Sequence, residues 1–185
     1  LVEAGDGENL VHGGNGGDVV KTGKGKNTIE AGDGPNEFFL HAAGENLVYG
    51  GPGDDVVHLG GDGHGLGTIV NAGGGNNTVY SGDAGEFKID GSGGTTTVSY
   101  EEAAKSVLVD FSKGPGNVTK TNGVDTLTGI TTVLGSPFDD TFVPGPADES
   151  FDGGGGADTL SYQSVGGEEG ALVVPTPATV DLAEG

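Results

Sequence analysis

Cysteine, methionine and tryptophan do not occur in this 185-residue sequence, and aromatic residues make up only 6% of it. Without cysteine there are no disulfides and no thiol chemistry. Basic residues are scarce as well: Lys and Arg total 7 against 28 Asp and Glu, a formal net charge of −21 and a pI of about 4.1. Phosphate repels such a surface, so nucleic-acid binding is excluded as the main role. No run of about 20 apolar residues is present, which excludes a membrane-spanning helix. The sequence begins Leu1-Val2-Glu3, with neither an initiating Met nor a signal peptide, and reads as a piece or processed form of something longer.

What the sequence has in excess is glycine, 41 residues, about three times the usual share. Glycine at this level marks either disorder or a regular repeat. Cutting the chain every nine residues favours the repeat. Ala4–His12, Gly13–Lys21, Thr22–Glu30 and Ala31–Phe39 follow one another directly. After one extra residue, Leu40, come His41–Tyr49 and Gly50–His58. A glycine-padded copy spans Gly60–Val70, and Ala72–Tyr80 restores the register. The common form is small-Gly-x-Gly-x-(Asp/Asn)-x-apolar-x. A longer period lies over it: Glu8-Asn-Leu-Val11 returns as Glu45-Asn-Leu-Val48, each followed by Gly-Gly-x-Gly-x-Asp-Val-Val.

Each nonamer carries its own conformational instruction. Glycines at positions 2 and 4 permit positive φ and a tight turn. The last three residues, one large apolar side chain among β-branched neighbours, suit a short strand. Position 8 holds Val11, Val20, Ile29, Phe38, Val48, Val57 and Val79, with Ile69 as the expected match in the padded copy. One inward residue per strand cannot make a core alone, but stacked coils can. The expected fold is all-β, a parallel β-roll or β-helix-like solenoid built from nonapeptide repeats.

Gly13-Gly-Asn-Gly-Gly-Asp-Val-Val-Lys21, Gly50–His58 and Gly153-Gly-Gly-Gly-Ala-Asp-Thr-Leu-Ser161 resemble the Gly-Gly-x-Gly-x-Asp-x-apolar-x repeat of RTX (hemolysin-type calcium-binding) proteins. Asp125–Ile130 and Val133–Phe142 are similar to the segment that leads into such repeats. The resemblance implies a roll in which two nonamers make one coil. Ca²⁺ is then held between neighbouring turns of one edge by position-6 Asp side chains and backbone carbonyls, the hard oxygen ligands calcium prefers. It also implies folding coupled to metal binding, export by a type I system, and a secreted, extracellular or cell-surface location.

Position 6 is where the first half departs from that pattern. One edge is expected to read Asn9, Asn27, Asn46, Gly67, and the other Asp18, Asn36, Asp55, Asn77. Asn lacks the charge that holds calcium, so the first edge should bind little or none, its amides stacking instead. Weak sites are expected at Asp18 and Asp55. In the C-terminal set, Asp140 and Asp158 fall two nonamers apart on one edge and form the best calcium pair. His12, His58 and His64 read as outward-facing residues rather than zinc ligands.

By segment, residues 1–98 are expected to form a degenerate Asn-rich roll and 99–134 a strand-rich spacer with one helical turn at Glu101–Ser106. Residues 135–161 resume the RTX repeats, and 162–185 begin a further unit. No catalytic motif is present, neither Gly-x-Ser-x-Gly nor His-Glu-x-x-His nor a phosphate loop. The function expected is therefore structural: a calcium-binding repeat segment of a larger secreted bacterial protein of adhesin, surface-layer or filament type. Calcium ions are the expected ligands, with like subunits or cell-surface polysaccharide as partners. The alternative is the C-terminal RTX module of a secreted protease, lipase or polysaccharide-modifying enzyme whose catalytic domain lies elsewhere. Direct polysaccharide or ice binding is a third reading, weakened by the lack of one regular outward Thr row.

Overall fold

The computed structural model describes residues 1–41, 44–60 and 66–161 together with 180–181. The chain opens with β1 (Val2–Glu3), β2 (Asn9–Asn15), β3 (Val19–Lys21), β4 (Asn27–Asp33), β5 (Glu37–Leu40) and β6 (Asn46–Tyr49). It continues with β7 (Val56–Leu59), β8 (Leu66–Asn71), β9 (Asn76–Ser81), β10 (Glu86–Asp90) and β11 (Thr95–Ser99). Then come β12 (Leu108–Asp110), β13 (Gly116–Lys120), β14 (Gly123–Thr128) and β15 (Thr132–Leu134). Last are β16 (Thr141–Val143), β17 (Ser150–Asp152), β18 (Thr159–Leu160) and β19 (Val180–Asp181).

Apart from β12–β14, which share one sheet, successive strands alternate between two sheets, so the chain winds as a solenoid. The odd-numbered strands other than β13 form one sheet, all parallel, in the order β1-β3-β5-β7-β9-β11-β15-β17-β19. The other sheet runs β2-β4-β6-β8-β10-β14-β13-β12-β16-β18, parallel except at β13. We call them sheets A and B.

The nonamer pattern accounts for the packing. In sheet A, Val20, Phe38, Val57, Val79, Val98, Val133 and Phe151 are stacked in register. They face a matching row in sheet B: Val11, Ile29, Val48, Val70, Ile89 and Leu127. All of these are buried. Each contributes about 1.5–3 kcal/mol by leaving water. The turns between strands close on glycine: at Gly51, φ is +97°, where an L side chain is strained, and an added Cβ would strike the Gly32 carbonyl.

Two readings of the sequence are corrected here. In the padded copy, Val48 pairs with Val70 and Leu47 with Ile69. Val70 is therefore the inward residue, Ile69 lies 38% exposed, and Thr68 rather than Gly67 stands at position 6. The error came from counting the glycine padding as part of the nonamer. Second, Glu101–Ser106 contains turns and bends but no helix; a single Ala103 N–H to Tyr100 C=O bond of 2.8 Å closes the one turn.

Between β11 and β15 the solenoid takes an insertion. Sheet A passes directly from β11 to β15, while sheet B carries β14, β13 and β12 between β10 and β16. At about 4.8 Å per strand, the two extra strands widen sheet B locally. Larger residues fill the space behind them: Tyr100, Phe111, Phe142 and Phe151 are all buried. A buried polar cluster sits there too. Lys120 Nζ lies 2.9 Å from Asp125 Oδ1, with both side chains wholly buried. Ser81 and Tyr100 donate hydroxyls to Asp125 Oδ2 at 2.7 and 2.9 Å, and the Phe87 amide donates to Oδ1 at 3.1 Å. Lys120 also donates to Ser81 Oγ at 3.0 Å and stands 4.3 Å from the Phe87 ring centre. Burial, reinforced by the Asp125 charge, holds the Tyr100 phenol well above its ordinary range.

The expected further unit at 162–185 falls outside the described residues, apart from β19, which pairs with β17 in sheet A. His64 also lies outside them.

Candidate metal sites along the turn ladders

Position 6 stands two residues before the inward apolar side chain, at or near the start of its strand, so these residues stack along the two edges of the solenoid. The edge entering sheet B begins Asn9, Asn27, Asn46, Thr68. Asn9 Nδ2 donates to Asn27 Oδ1 at 2.7 Å, and Asn27 Nδ2 to Asn46 Oδ1 at 2.8 Å. The Asn46 amide N–H donates to Thr68 Oγ1 at 3.3 Å. Asn27 and Asn46 are buried, and their hydrogen-bonding capacity is spent on one another. This is an amide ladder with no charge to hold a cation.

The edge entering sheet A reads Asp18, Asn36, Asp55, Asn77, the order the repeat predicts. Here the main chain climbs onto the side chains. The backbone N–H groups of Asp18, Asn36 and Asp55 donate to the Oδ1 atoms of Asn36, Asp55 and Asn77 at 3.0, 2.9 and 2.9 Å. Asn36 Nδ2 adds a second bond to Asp55 Oδ1 at 2.9 Å. Asp18 and Asp55 are two rungs apart, so they do not share a site.

In this arrangement Asp55 Oδ1 belongs to the ladder and Oδ2 does not. Asp55 is fully buried, and its Oδ2 has no hydrogen-bond partner. Burial pushes this carboxyl above its ordinary range, against the Asn36 hydrogen bonds that favour its charge. An added Cβ at Gly50 would collide with both Asp55 Oδ2 and the Ala72 carbonyl of the next coil, so both oxygens border the gap that glycine leaves. Gly13 stands in the same relation to Asp18 Oδ2 and the Ala31 carbonyl. Carboxylate and carbonyl oxygens converging on a gap fit a hard cation such as calcium.

Asp140 and Asp158 lie on the sheet-B edge, on adjacent rungs, with the Asp140 N–H donating to Asp158 Oδ1 at 2.8 Å. Gly135 borders Asp140 Oδ2 and the Gly153 carbonyl, and Gly153 borders Asp158 Oδ2. Asp140 differs from Asp55 in having both oxygens engaged. Oδ1 accepts from the Val107 N–H and Ser136 Oγ, each at 2.7 Å, and Oδ2 from the Ser136 N–H at 2.5 Å. Burial raises the Asp140 carboxyl, and the Asp158 charge adds to it, while those hydrogen bonds oppose the rise. Two carboxylates about one strand spacing apart repel, which a cation between them would offset.

Two further position-6 carboxylates were not singled out from the sequence, although both carry the Asp/Glu-x-apolar signature. Asp125-Thr-Leu127 places its acid in the buried cluster with Lys120. Glu149-Ser-Phe151 places its acid on the sheet-A edge, 8% exposed. Of the histidines, His12 is exposed 3.0 Å from Glu30, and His58 stacks between Phe39 and Tyr80 at 4.6 and 5.0 Å. Among the described residues no three His, Asp or Glu side chains gather as a metal cluster, and no helix is long and apolar enough to cross a membrane. Any cation held here therefore depends on backbone carbonyls as much as on acids.

Comparison with known proteins agrees with the turn geometry. A family model described as the RTX calcium-binding nonapeptide repeat (4 copies) matches residues 3–37, 42–63 and 125–160, about half of the chain. No curated protein matches it.

Proposed function

The chain belongs to the RTX calcium-binding nonapeptide repeat family, whose repeats bind calcium ions, and from that premise we propose that it is a structural segment locked into shape by calcium after export. The fold is a structural repeat rather than a catalytic one. The observation that carries the reading is the buried, unpartnered Asp55 Oδ2 facing the gap at Gly50 and the Ala72 carbonyl. Asp18, Asp55 and Asp158 each turn an Oδ2 towards a position-1 glycine and are the residues that would hold calcium. Asp140 positions the turn through Ser136 and Val107 and adds charge beside Asp158. Calcium would supply positive charge where the buried Asp55 Oδ2 otherwise faces no partner and where Asp140 and Asp158 face each other.

The sequence supports the sequel. With 28 acids against 7 basic residues, the chain repels itself at low calcium and compacts once cations neutralise it. That order suits a protein passed unfolded through a secretion channel and folded outside the cell. Adhesin stalk, surface-layer and filament roles all fit a stiff, elongated roll of this kind.

Calcium titration followed by circular dichroism and calorimetry tests the reading on the wild type, Asp55→Asn and Asp158→Asn. Calcium should raise the melting temperature of the wild type and bind with fewer equivalents to each variant. A wild-type protein whose melting is the same in calcium and in chelator would contradict it.

A further inference from the structure

The seven basic residues are all lysines, and six of them are exposed. The seventh, Lys120, is buried against Asp125 inside the β13–β14 hairpin, where Val118 stands opposite Asp125. Both side chains are wholly out of water, Nζ lies 2.9 Å from Oδ1, and the Phe87 ring centre lies 4.3 Å from Nζ. Apolar residues of similar volume often stabilise a core as well as a buried ion pair does, so stability alone does not account for charges here.

The two oxygens of Asp125 are held differently. Oδ1 accepts from Nζ and from the Phe87 N–H, the latter at 3.1 Å. Oδ2 accepts two hydroxyls, Ser81 at 2.7 Å and Tyr100 at 2.9 Å. Ser81 Oγ in turn accepts from Nζ at 3.0 Å, so one hydroxyl connects the ammonium to the far oxygen of the carboxylate. Burial lowers the Lys120 ammonium from its ordinary range, against the charge and hydrogen bond of Asp125 and the charge of Asp83, and so favours the free amine. Amine, carboxyl group and proton path meet in one dry place.

We propose that Lys120 and Asp125 condense to an isopeptide bond, with Ser81 as the proton relay. The Nζ–Cγ bond forms and the Cγ–Oδ2 bond breaks. Two of the three ammonium protons pass through the Ser81 hydroxyl to Oδ2, which leaves as water, and the third stays on the amide nitrogen. Oδ1 remains as the amide carbonyl and keeps the Phe87 N–H, while the Tyr100 hydroxyl steadies Oδ2 until it departs. Ammonium and carboxylate give amide and water, so charge balances and no other reactant is needed. Fixed proximity replaces the bimolecular encounter that makes such a condensation slow in water. The product ties β13 to β14 by a bond that chelator cannot undo.

The test is mass spectrometry of the full chain, folded in calcium as judged by circular dichroism, then denatured in chelator and digested with trypsin. The wild type should be one water lighter than its sequence. Trypsin should not cut after Lys120, because an acylated lysine is no longer a substrate, and residues 114–185 should stay in one piece. Lys120→Arg, which cannot form the bond, should keep its full mass. Ser81→Ala keeps both reacting groups and should form the bond about 100-fold more slowly after refolding. A wild-type chain of full mass that trypsin cuts after Lys120 would show an ordinary buried ion pair and overturn the inference. Loss of water in Lys120→Arg would place the dehydration elsewhere and overturn it too, and an unchanged rate in Ser81→Ala would overturn the relay.

Discussion

Stacked about 4.8 Å apart along a sheet edge, asparagine side chains can satisfy one another, whereas aspartates repel. The Asn9–Asn27–Asn46 ladder exploits the first property, and the turns at Asp140 and Asp158 contend with the second. Asn27 is the central rung, buried and bonded on both sides. Asn27→Ala strands its neighbours' amide groups and should cost about 1–3 kcal/mol. Because no cation is involved, urea unfolding should show the same loss in calcium and in chelator. A loss seen only in calcium would place a metal on this edge after all.

At the scale of elements, the nonamer made the strands and their inward residues legible, since each short strand has one large apolar side chain two places after an Asn or Asp. Its limits are equally specific. Glycine padding around Thr68 hid the register, because only pairing with β6 fixes which residue faces inward. β13 was not foreseen either: Gly116–Lys120 turns a lysine into the interior, and its partner Asp125 becomes visible only when the hairpin forms. That pair makes the insertion testable. Lys120→Met leaves Asp125 buried without its counter-charge and should cost about 3–5 kcal/mol, read by chemical denaturation. A loss below about 1 kcal/mol would mean that Ser81, Tyr100 and the Phe87 amide suffice for Asp125.

The turns after β10 and β12 give a second prediction at this scale. Asp90 Oδ1 accepts the Ser92 hydroxyl and amide at 2.5 and 3.0 Å, and Asp110 Oδ1 accepts the Ser112 amide at 2.8 Å. Hydrogen bonds from these serines, the hydroxyls first, lower both carboxyls from their ordinary 3.8. A lowered acid stabilises the fold above its unfolded value and loses that contribution as pH falls through the folded one. Acid titration should therefore show stability declining below about pH 4, and Ser92→Ala with Ser112→Ala should flatten that decline. An unchanged acid profile in the double variant would remove these turns from the account.

For the whole molecule, what matters is that the solenoid's two edges are built differently. The sheet-B edge starts with amides and ends with Asp140 and Asp158; the sheet-A edge alternates Asp and Asn from the start. Which nonamers share an edge was readable from their order, but which carboxylate oxygen stays free was not. That depends on Ser136 occupying Asp140 and on nothing occupying Asp55 Oδ2. Calcium should therefore matter unevenly along the molecule, least where the amide ladder carries the turns. Residue-resolved hydrogen exchange in calcium and in chelator measures this directly. The account predicts that amide protection on the Asn9–Asn46 edge persists in chelator, while protection across Gly135–Ser161 collapses and returns with calcium. Uniform loss along the chain, or no loss anywhere, would contradict it.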